Sequence, residues 1–144
     1  MHNVREVYGL PCVVALNRFP GDGEDEVQLL RRAMHERGVQ VVDCRHWAEG
    51  GAGAEDLARE VIALAESGRA RMRFLYRDDE TLWDKMRAVA QQVYGASDIS
   101  AEPGVKARID RLQDEGFGGW PVCVAKTPYS FTADARVRGS PSGH

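Results

Sequence analysis

Residues 12–16, Cys-Val-Val-Ala-Leu, are apolar without interruption, and the run stops abruptly at Asn17-Arg18-Phe19-Pro20. A strand with one wet face alternates apolar and polar residues; an unbroken run marks a strand covered on both faces, as in a parallel sheet. The run therefore predicts a central strand that delivers an amide, a cation and an aromatic ring at its C-terminal end. Asp22 and the carboxylates of Glu24, Asp25 and Glu26 follow, predicting a helix capped by Asp22 with a first turn suited to the helix dipole. Val27, Leu30 and Met34 recur at helical spacing, and Gly38 sits where a left-handed C-cap residue belongs. The β-branched run 39–42 gives a second strand. Strand, helix and strand at this spacing form a βαβ unit with parallel strands. Trp47 is thereby expected beyond the same sheet edge as Phe19.

Further along, the glycine loop Gly50-Gly51-Ala52-Gly53 feeds a helix over 55–66, with Leu57, Val61 and Leu64 on one face and Gly68 at its end. A short strand is expected over 72–76. Leu82, Met86, Val89 and Val93 mark a third amphipathic helix, preceded by the acidic cap region Asp78-Asp79-Glu80 and stopped by Gly95. A fourth helix, 103–115, turns Ile109 and Leu112 inward, ends at Gly116 and leads to a strand over 122–125 closed by Lys126-Thr127. Residues 1–8 have helical spacing without a cap, as if the chain began in mid-element. The alternation of strands and helices predicts an α/β fold, three-layer, with a mostly parallel sheet flanked by helices. It occupies residues 1–127. Residues 128–144, rich in Ser, Gly, Pro and Arg, form an irregular tail cut off before its partner strands, or a disordered one.

With 144 residues and a formal net charge of -3, the chain disperses its basic residues among acidic ones. That balance gives no footprint for phosphate backbones, so nucleic acid is excluded as an expected partner. No apolar run approaches the ~20 residues of a membrane span, and the N-terminus has no signal-like core, so no membrane association and a cytoplasmic location are expected. Cys12, Cys44 and Cys123 are odd in number and lie in or beside apolar runs. Reduced, buried thiols fit that pattern better than disulfides or a zinc site.

Ligands of open parallel sheets bind outside the carboxyl ends of the strands, which here present Asn17-Arg18-Phe19, His46-Trp47 and Lys126-Thr127. A flat ring held between two aromatic faces needs them ~7 Å apart, between the spacings of adjacent strands (~5 Å) and next-but-one strands (~10 Å). Phe19 and Trp47 are either such a slot or core residues at the sheet rim. The Gly50 to Gly53 loop either offers N–H groups to an anion or serves for turning, and lacks the spacing of a phosphate-binding fingerprint. His46 is an acid or base, or a hydrogen-bonded structural residue. Lys126 and Thr127 contact an anion or are solvated. The acidic clusters at 22–26 and 78–80 are helix caps or metal sites, with the caps more economical. No Ser/His/Asp constellation can be assigned, no metal site or catalytic residue is proposed, and Gly-Lys-Ser/Thr does not occur. Phosphoryl chemistry would need residues from outside the chain.

Three long segments carry a resemblance. Residues 9–20 (Gly-Leu-Pro-Cys-Val-Val-Ala-Leu-Asn-Arg-Phe-Pro), residues 44–51 with His46-Trp47-Ala48-Glu49-Gly50-Gly51, and residues 116–127 (Gly-Phe-Gly-Gly-Trp-Pro-Val-Cys-Val-Ala-Lys-Thr) resemble, in the same order, segments of formate-tetrahydrofolate ligase. Tyr94-Gly95-Ala96 and Gly139-Ser140-Pro141-Ser142-Gly143 are similar to further segments of that family. The resemblance implies an enzyme that joins formate to N10 of tetrahydrofolate at the expense of ATP, through formyl phosphate, with magnesium and a monovalent cation. It also implies that Phe19 and Trp47 stack on the pterin ring of the folate, with Asn17, Arg18 and Pro20 lining the pocket.

The departures shape the expectation further. The family's phosphate-binding loop and formate-activating residues lie well upstream of anything present, and His144 stands where an aromatic residue is usual. The chain is thus expected to be a later portion of the ligase, cut from it or encoded as a truncated reading frame, and inactive alone. Its expected partners are folate and the remainder of the ligase, and a homo-oligomer formed through surfaces that the remainder would cover is a further candidate. The alternative is a stand-alone folate-binding or structural domain without ligase activity.

Overall fold

The apolar run becomes a strand, shifted toward its polar end. In the computed structural model, which describes residues 1–125, β1 (Val14–Asn17) pairs in parallel with β2 (Val41–Cys44). Val14 stands opposite Val41 and Asn17 opposite Cys44. The described residues divide into two compact units at Met72 and Arg73. The architecture is α/β, a small parallel sheet flanked by helices.

In the first unit, α1 (Glu24–His35) connects the two strands. Its three leading carboxylates face the helix N-terminus, and Val27 is buried. Gly38 takes φ +64°, the left-handed conformation expected of it, while Val39 N–H donates to the Met34 carbonyl and Val39 itself is buried. Val27, Val39 and Cys44 form the buried apolar centre of this unit, and each aliphatic side chain so buried is worth about 1.5–3 kcal/mol. α2 (His46–Glu49), a 3-10 turn over Gly50–Ala54 and α3 (Glu55–Glu66) follow β2 in close succession. Gly68, with φ +63°, lies just beyond α3.

Three expectations for this unit change. The sheet of the described residues has two strands, so β1 is an edge rather than a centre, and its burial alternates, with Ala15 and Asn17 exposed. A two-stranded sheet leaves each strand one unpaired edge, and here one face of β1 stays open. Val61 is exposed, unlike its helix neighbours Leu57 and Leu64. Asp22 does not cap α1: Gly23 occupies the N-cap position, without a side-chain hydrogen bond.

In the second unit, α4 (Leu82–Tyr94) is capped by Thr81, whose hydroxyl accepts from Asp84 N–H at 3.1 Å. It ends at Gly95 in the left-handed conformation, with Ala96 N–H donating to the Ala90 carbonyl. α5 (Pro103–Asp114) packs on α4, and Gln113 Oε1 accepts the otherwise unmet N–H of Leu82 at 2.8 Å. Lys85, the only fully buried side chain among the described residues, donates from Nζ to the carbonyls of Gly118 at 2.7 Å, Asp78 at 2.8 Å and Trp120 at 3.2 Å. All three ammonium donors are met, which removes the penalty of burying an ammonium without partners.

Neither residues 72–76 nor residues 122–125 form a strand. At Val122 the main chain is engaged by Tyr76 instead, whose hydroxyl accepts from Val122 N–H at 2.9 Å and lies 3.2 Å from the Val122 carbonyl as its donor. That one side chain satisfies main-chain groups that a ladder would otherwise take. The same irregularity leaves Cys123 exposed, whereas Cys44 is buried and Cys12 half-buried; all three are free thiols. The expected tail, 128–144, and Lys126 and Thr127 lie outside the described residues.

Candidate functional site

Parallel register brings the outgoing ends of β1 and β2 to one rim. Arg18 N–H donates to the Cys44 carbonyl at 3.0 Å, extending the ladder one residue past the strand. Phe19 is the next residue, and Trp47 lies in α2 directly after β2. Their ring centroids are 6.1 Å apart with an interplanar angle of 54°. The rings therefore touch each other in a tilted arrangement and leave no parallel gap between them. Phe19 is 47% exposed and Trp47 65%, so together they form an apolar surface at the sheet rim rather than part of the core.

The segment around Phe19 is fixed by polar contacts on both sides. The Asp22 carboxylate accepts from Phe19 N–H at 2.7 Å, and Asp22 N–H donates back to the Phe19 carbonyl at 3.1 Å. Pro20 and Gly21 occupy the middle of this closed turn, the positions for which their backbone preferences suit them. Arg18 reaches Glu24 Oε2 at 3.4 Å and Asp43 Oδ2 at 3.8 Å, and Asp43 also accepts from Arg31 at 2.6 Å. The Glu24 carboxyl is held below its ordinary range, chiefly by the hydrogen bond from the Gln28 amide and then by the Arg18 charge. Of the five expected pocket residues, Phe19, Pro20 and Asn17 are exposed at the rim. Arg18 is mostly covered and engaged with carboxylates.

The Trp47 side of the pair is set by the glycine loop. Arg45 N–H donates to the Gly53 carbonyl at 2.9 Å, and a Cβ on Gly53 would lie 2.5 Å from the Arg45 carbonyl carbon. Gly53 is thus required by close approach of two backbones. His46, exposed at the start of α2, has its Nδ1 3.1 Å from Cys44 Sγ. A groove of about 820 Å³ runs along β2 among Asp43, Arg45, Glu49, Arg59 and Glu60, and neither aromatic ring lines it. Sequence reasoning missed the Asp22 turn and the Arg18–Asp43–Arg31 cluster. The Pro-Gly-Asp spacing after Phe19 was the signal for the turn.

No helix among the described residues is long and apolar enough to cross a membrane, and no group of three His, Cys, Asp or Glu side chains gathers there as a metal-binding set. The family model for formate-tetrahydrofolate ligase matches residues 1–144. Proteins named formate-tetrahydrofolate ligase from Granulibacter bethesdensis and Methylobacillus flagellatus are 52% and 50% identical over the whole chain. One from Rhizobium johnstonii is 42% identical over 99% of it. The chain spans about a quarter of the length of these relatives. With its whole length matched at this level of identity, the chain belongs to the formate-tetrahydrofolate ligase family.

Proposed function

We propose that this chain is the folate-binding portion of an ATP-dependent ligase that formylates tetrahydrofolate at N10 through formyl phosphate. The observation that carries the proposal is the convergence of Phe19 and Trp47, two exposed rings at the outgoing ends of adjacent parallel strands, 6.1 Å between centroids. A pterin enters by parting them to parallel faces ~7 Å apart, exchanging their mutual contact for stacking on both sides. Because neither ring is buried in the core, the parting breaks no packing of the sheet. Asn17 and Pro20 border the opening, and Arg18, held by Glu24 and Asp43, fixes the strand end from which Phe19 projects.

The chain's role is to hold the folate in orientation, so that N10 meets a formyl group activated elsewhere; positioning of this kind can supply a large share of a barrier reduction. The sequence holds no Gly-Lys-Ser/Thr loop, and the described residues bring no donor set together for magnesium. ATP chemistry, the magnesium ion and the monovalent cation are assigned to the rest of the enzyme, as the family resemblance implies. Residues 1–127 act as the folate side and the remainder of the ligase as the partner. The second reading is a stand-alone folate-binding or structural domain without ligase activity. Titrating tetrahydrofolate into the chain while following tryptophan emission tests the assignment. Quenching that disappears in Phe19→Ala supports it, and an unchanged response in that variant overturns it. ATP-dependent formylation by the isolated chain would overturn the division of labour.

A further inference from the structure

We infer that Asp22 is a positioning residue for the Phe19 ring, acting through the main chain; the inference rests on the folate reading above and adds to it the device that aims one of the two rings. An aspartate directly before a carboxylate-rich helix is expected to cap it, and Asp22 does not, since Gly23 holds the N-cap position. Its carboxylate turns back instead and accepts the Phe19 N–H at 2.7 Å, while its own N–H donates to the Phe19 carbonyl at 3.1 Å. The two bonds close a four-residue ring in which Phe19 has both main-chain polar groups occupied. On the other side, Arg18 N–H is bound to Cys44. The backbone that carries the ring is therefore pinned from the sheet and from the turn, and only rotation of the side chain remains free. The carboxylate does not touch the ring, so its influence is on where the ring starts from, not on what the ring contacts.

What the Phe19 N–H requires is an acceptor, so Asp22→Asn keeps the bond through its amide oxygen and Asp22→Ala removes it. Two readouts on the 144-residue chain separate the possibilities. In the first, nuclear Overhauser contacts between the Phe19 and Trp47 rings, recorded without folate, persist in Asp22→Asn and vanish or weaken in Asp22→Ala. In the second, tetrahydrofolate binding followed by tryptophan emission weakens by about fivefold in Asp22→Ala, the worth of one net hydrogen bond, and recovers in Asp22→Asn. Ring contacts that survive in Asp22→Ala, or that are lost equally in Asp22→Asn, overturn the inference. If Phe19→Ala leaves folate binding unchanged, the folate reading fails while the ring contacts still decide the role of Asp22. Should Asp22→Ala not fold, exchange of the Phe19 amide in the unsubstituted chain decides: marked protection supports the closed turn, and exchange at the free-peptide rate overturns it.

Discussion

Arg45 and Gly53 meet main chain to main chain, with the Arg45 N–H on the Gly53 carbonyl at 2.9 Å and no room for a Cβ at position 53. Gly53→Ala must push two backbones apart just upstream of Trp47, and overpacking of this kind costs about 1–3 kcal/mol. Gly51→Ala is the control, because nothing lies within 4 Å of a Cβ built there. Thermal unfolding followed by circular dichroism should show a clear drop in midpoint for the first variant and almost none for the second.

Lys85→Met keeps much of the side-chain volume and removes the ammonium. The carbonyls of Gly118, Asp78 and Trp120 then lose their shared donor, and the bond to Gly118 is the buried one. A buried acceptor left unmet costs about 1–3 kcal/mol. Urea denaturation should show a midpoint lowered accordingly, and an unchanged midpoint would mean that water or a neighbour replaces the ammonium without loss.

Tyr76→Phe deletes the hydroxyl that meets both Val122 N–H and the Val122 carbonyl. The expected loss is about 1 kcal/mol of local stability, confined to this segment. It is measured as faster hydrogen exchange at the Val122 amide, with exchange in the interior of α4 unaltered.

Glu24 titrates below the ordinary glutamate value because its ionised form accepts from Gln28 and faces Arg18. A carboxyl whose folded value is depressed stabilises the fold when ionised: the contribution is complete above the ordinary value and is lost as pH falls through the lowered one. A carbon-detected titration should place Glu24 below the ordinary value, with Gln28→Ala moving it upward. High salt should move it less than the Gln28 substitution does, since the charges of Arg18 and Arg31, which salt screens, are smaller causes than the hydrogen bond from Gln28.

The sequence was most informative where a single residue type answers to a single backbone need. Gly38, Gly68 and Gly95 stop or follow helices in the left-handed conformation, and the helices 55–66, 82–94 and 103–114 lie where apolar spacing puts them. The βαβ reading likewise brings Phe19 and Trp47 to one rim, although the tilt of their rings depends on side-chain rotation that spacing does not encode. Strands were less legible. The runs at 72–76 and 122–125 have the composition of strands, but a strand also needs a neighbour, and Tyr76 takes up the main chain of Val122 instead. The unbroken apolar run of β1 predicted cover on both faces, whereas among the described residues its burial alternates in a sheet of two strands. Asp22 was misassigned because an aspartate at that spacing has two local partners to choose from, the helix start and the preceding turn. Lys85 carried no signal at all, since its burial is created by residues far from it in sequence.

The coordination of Lys85 also determines which positions are free to vary. Every acceptor it uses is a peptide carbonyl, a group that all amino acids supply, so these bonds place no demand on the side chains at 78 and 120. Position 118 is restricted separately, because a Cβ there would run into Gln113. Variation around this ammonium should therefore be asymmetric: the lysine answers to three carbonyls at once, whereas the side chains at 78 and 120 answer only to contacts of their own, such as the edge-to-face packing of Trp120 on Phe117.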